Sequence, residues 1–212
     1  HEITAGPPAK RRHFINVLLS QCSSRYLDDL KEYEKILKQR NAVLLSLHDA
    51  DHGQKEQLEI WNHQFVQVGA RIIKSRRQMT NELNEFLGNH YLAITRNKWT
   101  MRIHYRPNVD DNSAEKLEQS FSAMLAKMAI KEKSQSVTLV GPHRDTLSFS
   151  VNGTDVTKFG SRGQQQTVVL SLKLAEAEHM QAEVGDCPVI LLEQHFPAAE
   201  LFGVNAAPSV FD

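Results

Sequence analysis

The 212-residue sequence lacks the features that mark several large classes of protein. Its two cysteines, Cys22 and Cys187, lie far apart and have no further Cys or His at metal-ligand spacing, which argues against a disulfide framework and against a zinc site. No apolar run is long enough to span a membrane, and no secretory signal opens the chain. Cationic and acidic residues balance at 25 each, so any binding to nucleic acid depends on local patches. A globular protein of the cytoplasm is predicted.

The sequence also lacks a Gly-x-x-x-x-Gly-Lys-Ser/Thr loop, although two other segments are typical of a nucleotide-binding protein. Ser161–Thr167 reads Ser-Arg-Gly-Gln-Gln-Gln-Thr and precedes a helical run over residues 168–178. Such a helix start suits a phosphate, because its first N–H groups are unpaired and glycine lets the backbone approach the anion. The apolar run Cys187–Leu192 ends in Glu193 and Gln194, as a buried strand does where it delivers polar groups to the metal ion of a nucleotide.

Both segments also have a simpler interpretation. Serine and glycine at a helix start form an ordinary N-cap and turn in many proteins. Glu193 and Gln194 would then belong to the end of a strand that simply meets solvent. Taken alone, the two motifs do not decide between a nucleotide site and these structural roles.

Two long amphipathic helices are predicted in the first half of the chain. Apolar residues recur at helical spacing from Ser24 to Leu47, and the loop that follows ends at Gly53. From Lys55 to Leu87 they recur at steps of three and four, as in a heptad seam that is interrupted near Ser75. Because the connecting loop is short, the two helices are expected to form an antiparallel hairpin.

The second half of the chain alternates between strand and helix patterns. In chain order, the spacings predict a strand over residues 99–105, a helix over 117–128 and strands over 137–140 and 147–151. Asn152-Gly153 is a strong hairpin-turn signal, after which Val156 would begin the return strand. The predicted fold class is mixed α/β (α+β), in which a long antiparallel helical hairpin arm precedes a β-rich half of a nucleotide-binding head. The boundary is expected near Ser134.

Four segments, taken in order, resemble the RecF family of recombination mediators, a branch of the ABC-type ATPases. They correspond to the entry into a helical arm, the arm, a return strand and the signature motif, at Gly6–Phe14, Tyr33–Asn41, Gly141–Asp145 and Ser161–Thr167. The family's phosphate-binding loop would lie before His1, so the N-terminal ATPase lobe is expected to be missing from this chain. The resemblance divides the chain into an entry segment, a helical arm domain and the signature half of the ATPase head, at residues 1–23, 24–133 and 134–212.

The resemblance also implies the roles of individual residues at a nucleotide. In ABC-type dimers the signature caps the γ-phosphate held by the partner chain, which assigns the contact with ATP to Ser161, Arg162, Gly163, Gln164 and Gln165. The family's strand ends in two Asp residues, where this chain has Glu193 and Gln194. Glu193 would coordinate Mg²⁺. Gln194 would occupy the catalytic, water-polarising position, and hydrolysis is expected to be impaired because an amide cannot take a proton there.

Candidate contacts with DNA follow from the same resemblance. Arg144 is the candidate anion contact at the edge of the head. A basic stripe on the second helix would touch phosphates if the arm straddles a duplex, and its members are Arg71, Lys74, Arg76 and Arg77. The alternatives are a turn with surface charges and a solvated helix face.

The implied function is that of a DNA-binding protein of replication, recombination and repair, active in DNA damage and the SOS response. It would bind gapped or single-stranded–duplex DNA as an ATP-gated dimer, either with itself or with an intact family member, and act with other recombination mediator proteins. The cofactors implied are ATP and Mg²⁺. Whether the chain is an enzyme is left open, because the family is a slow ATPase whose phosphate loop and second Asp are absent from this sequence. The alternative is a non-enzymatic helical-hairpin interaction module that retains a remnant ATPase lobe.

Overall fold

The chain folds into two compact units, each assembled from separate stretches of sequence. The computed structural model describes residues 2–46, 52–96, 98–109 and 116–185. We call the larger of the two units the arm unit, which consists of Gly6–Asn81 and His104–Ser148. The other is the signature unit, which consists of His1–Ala5, Glu82–Ile103 and Phe149–Asp212. The predicted parts follow one another along the chain, whereas these two units alternate along it.

Helices dominate the described residues, and a small sheet accompanies them, as the predicted mixed fold class requires. In chain order the elements are α1 (Glu2–Ala5), α2 (Pro8–Cys22), α3 (Ser24–Ser46), α4 (His52–Ile94), β1 (Met101–Arg106), α5 (Leu117–Gln135), β2 (Thr146–Val151), β3 (Thr154–Asp155), α6 (Val156–Phe159) and α7 (Arg162–Val184). A single turn of 3-10 helix, Pro142–Arg144, precedes β2. Among these helices none combines the length and the apolar character that crossing a membrane requires.

The predicted helical hairpin is present in the arm unit. Helix α4 is 43 residues long and extends beyond both ends of the predicted helix, because its seam continues past Leu87 to the buried Tyr91 and Ile94. The end of α3 packs on the start of α4, where Val43 and Leu44 contact Leu58 and Trp61. Earlier positions of α3 contact later positions of α4, with Tyr33 stacked on Phe65 and Asp29 paired with Arg71. This order of contacts is that of two antiparallel helices.

The sheet has three strands in the order β1-β2-β3. Strands β2 and β3 are antiparallel, with Ser150 opposite Asp155 and Val151 opposite Thr154. Asn152 and Gly153 both have positive φ, 47° and 80°, as a two-residue turn with the twist of a hairpin requires. The predicted hairpin is confirmed, but the return strand ends at Asp155, whose side chain accepts from the N–H of Thr157 and caps α6.

The strand predicted over residues 137–140 is wrong, because side chains satisfy the backbone groups that a ladder would otherwise use. The N–H of Thr138 donates to Asn41 Oδ1 at 2.8 Å, and the N–H of Leu139 donates to Glu132 Oε1 at 2.7 Å. The hydroxyl of Thr138 in turn accepts from Arg40 at 2.7 Å. A short apolar run is therefore held as an irregular segment by polar residues that lie far from it in sequence.

Candidate functional site

The predicted nucleotide motif lies at the N-terminus of α7. The helix begins at Arg162, not at the predicted Val168, because apolar spacing marks only the buried part of a helix and the intervening glutamines are good helix formers. Ser161 is the N-cap: its Oγ accepts from the N–H of Gln164 at 3.3 Å, and Gln164 Oε1 accepts from the N–H of Ser161 at 3.0 Å. This reciprocal pair is a capping box.

The same helix start is open to solvent. Ser161, Arg162 and Gly163 are exposed, whereas Gln164 and Gln165 are half-buried. A Cβ placed on Gly163 would meet nothing within 4 Å, so neither packing nor a positive φ requires glycine at this position. What the missing side chain provides is access to the first-turn backbone of a 23-residue helix, where unpaired N–H groups and the helix dipole favour an anion.

Helix α7 is held within the signature unit by apolar contacts and by a hydrogen bond. Leu170 and Leu174 pack against Ile94 near the end of α4. Further along, His90 Nε2 lies 2.6 Å from Glu178 Oε2. These contacts lie C-terminal to the first turn of α7, so the exposed signature residues begin a helix that is packed further along its length.

The predicted metal ligand Glu193 and the predicted catalytic residue Gln194 lie outside the described residues. Within the residues that the structure describes, no group of three or more His, Cys, Asp or Glu side chains is placed to hold a metal ion. The roles of Glu193 and Gln194 therefore stay predictions.

The basic stripe predicted on α4 is not one surface. Arg76 occupies the seam position between Ile72 and Met79 and is only 3% exposed, so the heptad pattern continues through the point at which it was predicted to break. Its neighbours differ from it in setting, because Lys74 is exposed and Arg77 is half-buried.

Arg71, one turn before, is engaged with the carboxylates of α3. Its guanidinium lies 2.7 Å from Asp29 and 3.3 Å from Glu32. The hydrogen bond that Arg71 donates to Asp29 is the main reason that the pKa of Arg71 is raised. Of the predicted stripe, Lys74 is the member whose charge lies fully at the surface.

The guanidinium of Arg76 is buried in a polar network of the arm unit. Its Nη1 donates to Asp145 Oδ2 at 2.8 Å and to the carbonyl of Pro142 at 2.7 Å, while Nη2 donates to Asn16 Oδ1 at 2.9 Å. Asp145 also accepts from the hydroxyl of Tyr105 and from the N–H of Asn108. Burial raises the pKa of Asp145, and the charge of Arg76 opposes that rise. Arg76 therefore joins helix α4 to the Gly141–Asp145 segment and is not a surface contact.

The Gly141–Asp145 segment is shaped by close packing. Gly141 has a φ of 126°, and a Cβ there would lie 2.7 Å from the hydroxyl of Tyr33 and 3.0 Å from the ring of Phe65. His143 Nε2 lies 3.1 Å from the carbonyl of Thr138, which can only accept, so Nε2 carries the hydrogen and Nδ1 accepts from the Tyr33 hydroxyl at 2.6 Å. Burial lowers the pKa of His143 to about 4.

A second buried ion pair joins Arg40, in the segment Tyr33–Asn41 that carries the family resemblance, to Glu132. Arg40 and Glu132 are 2% and 0% exposed, and Arg40 Nη2 lies 2.5 Å from Glu132 Oε2. Arg40 Nε donates to Asn62 Oδ1 at 2.8 Å. The polar residues of the segment Tyr33–Asn41 are thus used to hold α3, α4 and α5 together.

Arg144, the predicted anion contact, is exposed, and its Nη2 donates to the carbonyl of Thr138 at 3.3 Å. Beside it lies Arg12 of α2, whose Nη1 donates to the carbonyl of Asp145 at 3.0 Å. Arg12, His143 and Asp145 lie in two of the segments that carry the family resemblance, but the sequence analysis predicted no individual role for them. A signal for Asp145 was available, because a cation at an apolar seam position needs a buried partner.

The helical arm and the small sheet have the fold of a part of an ABC-type ATPase. Solved structures agree: the chain superimposes on "Structure of the recombination mediator protein RecF-ATP in RecFOR pathway" with a TM-score of 0.85 and 28% identity, over 91% of this chain and 52% of that one. For the corresponding RecF-ATPrS structure the TM-score is 0.83 at 28% identity, over 88% and 50% of the two chains.

Curated proteins with a similar sequence are also RecF proteins. The chain is 38% identical over 195 residues to the DNA replication and repair protein RecF of Latilactobacillus sakei subsp. sakei and to that of Staphylococcus aureus JH9. Each match covers 90% of this chain and 52% of the relative, so the chain spans about half the length of the curated relatives it matches. No protein-family model matches it. The predicted resemblance to the RecF family is confirmed over this stretch.

Proposed function

We propose that this chain acts as the arm and signature part of a RecF-like, ATP-dependent DNA-binding protein of cytoplasmic replication and recombinational repair. One observation carries the proposal: Ser161, Arg162 and Gly163 are exposed at the first turn of a supported helix, in a fold that superimposes on a RecF-ATP structure with a TM-score of 0.85. We infer that this helix start caps the γ-phosphate of an ATP molecule held by a second chain.

The residues present suit a phosphate. Ser161 Oγ already accepts from the N–H of Gln164, which leaves its own hydroxyl hydrogen to donate to a phosphate oxygen. The exposed guanidinium of Arg162 adds a positive charge, and Gly163 leaves room for the γ-phosphate to approach the backbone N–H groups. In this proposal ATP supplies the phosphate that joins two chains, and Glu193 would hold the accompanying Mg²⁺.

Association with an intact RecF relative tests the proposal. Light scattering with ATP and with ADP is expected to show a complex with ATP alone, and Ser161→Arg is expected to abolish it. The matched control is Ser24→Arg, the same change at the exposed start of α3, which should associate as the unchanged chain does. Because losing an N-cap costs about 0.5–2 kcal/mol, thermal unfolding of both variants must show folded protein at the assay temperature. Equal association under all conditions would contradict the proposal.

A second candidate function is a protein-interaction module, and an apolar cleft in the arm unit favours it. The cleft has a volume of about 430 Å³, and its lining includes Leu44, Leu58 and Leu125. Ile130, which is 87% exposed, also lines the cleft. DNA binding separates the two functions, because contacts with phosphates weaken steeply with salt. Binding that is absent at 50 mM salt would favour the interaction module.

A further inference from the structure

Four guanidinium groups of the arm unit converge on one short stretch, residues 138–147. Arg11 Nε donates to the carbonyl of Leu147 at 2.7 Å, and Arg12 Nη1 donates to the carbonyl of Asp145 at 3.0 Å. Arg76 Nη1 binds the carboxylate of Asp145 at 2.8 Å. The fourth, Arg144, belongs to the stretch itself and donates to the carbonyl of Thr138. We call this set the arginine cluster.

The carboxylate within the arginine cluster, that of Asp145, pairs with Arg76 and not with Arg12 or Arg144. Asp145 provides one carboxylate, which is buried and already shared among Arg76, Tyr105 and the N–H of Asn108. Within the described residues, neither Arg12 nor Arg144 forms an ion pair with a carboxylate. Both donate instead to backbone carbonyls, which carry no charge to offset theirs.

The pKa values of Arg12 and of the neighbouring His143 reflect the positive charges around them. Burial lowers the pKa of Arg12, and the positive charges of Arg76, Arg144 and Arg11 lower it further, while Asp145 opposes them. The low pKa of His143, which is due first to burial, is also lowered by Arg144 and Arg12. The guanidinium groups therefore lie close enough to repel one another, and an anion between them would relieve that repulsion.

We propose that Arg12 and Arg144 together form a binding site for a phosphate group. Arg12 is half-buried and Arg144 is exposed, so both reach solvent while their hydrogen bonds to the backbone limit their motion. A guanidinium presents a planar set of donors that fits the oxygens of a phosphate, and anchoring it in advance reduces the entropy lost on binding. The buried Arg76–Asp145 pair acts as a positioning element, because it fixes the carbonyl that orients Arg12.

The phosphate has two sources that share this chemistry, the diester of DNA and the free phosphates of a nucleotide. The proposal that DNA is the source rests on the proposed function, whereas the existence of the anion site does not. The site also differs from the signature, since it lies in the arm unit and the signature lies in the other unit.

Salt-dependent DNA binding is the first test. Fluorescence anisotropy with a short gapped duplex, from 50 to 200 mM salt, compares the unchanged chain with Arg12→Ala, Arg144→Ala and the double variant. Each single change is expected to reduce the slope of log K against log salt by about 1, so the variant loses about fourfold less affinity over this range. Lys127→Ala, which removes an exposed cation of α5, is the control and should keep the full slope. Arg144→Lys should retain most of the slope because it keeps the charge.

Pyrophosphate is the second probe, since it tests the site without DNA. It is expected to raise the Tm of the unchanged chain, relative to chloride at equal ionic strength, and to leave the Tm of the double variant unchanged. If pyrophosphate raises the Tm but the chain does not bind DNA, the anion site is supported and its ligand is a free phosphate. That result would count against the proposed DNA function. Variants that match the unchanged chain in both assays would overturn the proposal. If Arg12→Ala does not fold, Arg144→Ala carries the test, because that side chain is exposed.

Discussion

His143 is expected to make the stability of the arm unit depend on pH in the weakly acidic range. Its imidazole is largely buried, with Nε2 donating to the carbonyl of Thr138 and Nδ1 accepting from the hydroxyl of Tyr33. Protonation would place a second N–H against the Tyr33 hydroxyl and add a charge beside Arg12 and Arg144. The folded chain therefore holds this imidazole in its neutral form.

The sign and the size of the effect follow from the pKa. In the folded chain the pKa of His143 is about 4, below its ordinary value of 6.5, so the unfolded chain binds the proton more readily between these two values. Stability is then fully present above the unfolded pKa and is lost as pH falls from about 6.5 to about 4. At about 1.4 kcal/mol per pKa unit the whole loss is roughly 3 kcal/mol, of which about 2 kcal/mol falls between pH 7 and pH 5.

Urea unfolding at pH 7, 6 and 5 measures this loss. In His143→Gln the neutral amide cannot be protonated, so the free energy of unfolding, though lower throughout, should fall about 2 kcal/mol less between pH 7 and pH 5 than in the unchanged chain. His63→Gln, which makes the same change at an exposed position of α4, is the matched control. If His143→Gln and the unchanged chain lose stability equally over this range, the buried neutral imidazole is refuted.

Three further predictions concern the packing. Arg76→Met leaves Asp145 without its ion-pair partner and should lower the free energy of unfolding by about 3–5 kcal/mol. The exposed control Lys74→Met should change it by no more than about 0.5 kcal/mol, and equal losses would place Arg76 at the surface. Trp61→Ala should cost about 2 kcal/mol by thermal or urea unfolding, less than for a fully buried indole because Trp61 is half-buried, and a loss below 1 kcal/mol would argue against its packing on α3. Gly141→Ala should lower the free energy of unfolding by about 2 kcal/mol or more, since it combines a strained φ with a 2.7 Å contact. Gly163→Ala should be neutral or stabilise by up to about 1 kcal/mol, and a lower Tm for Gly163→Ala than for Gly141→Ala would contradict the packing described for both glycines.

Local sequence determined much of the secondary structure. The apolar spacing of Ser24–Ser46 and of the long helix after Lys55 was sufficient to predict the hairpin, because each helix buries one continuous stripe against the other. Asn152-Gly153 predicted the β2–β3 turn, since few residue pairs tolerate positive φ at both positions. The four ordered motifs also predicted the resemblance to the RecF family, and the Ser161 motif marked a helix start that is exposed in the structure.

Tertiary structure decided the positions of the charges. A basic stripe on α4 could be recognised in the sequence, but whether Arg76 faces solvent or a buried carboxylate depends on Asp145, which lies 69 residues away. Residues 137–140 have the composition of a strand, yet the side chains of Asn41 and Glu132 take up their backbone groups. In the same way, Arg12 and Arg144 come together because both donate to carbonyls of one irregular segment. Long-range polar contacts leave no periodic pattern in a sequence, because each is fixed by the fold and not by its neighbours along the chain.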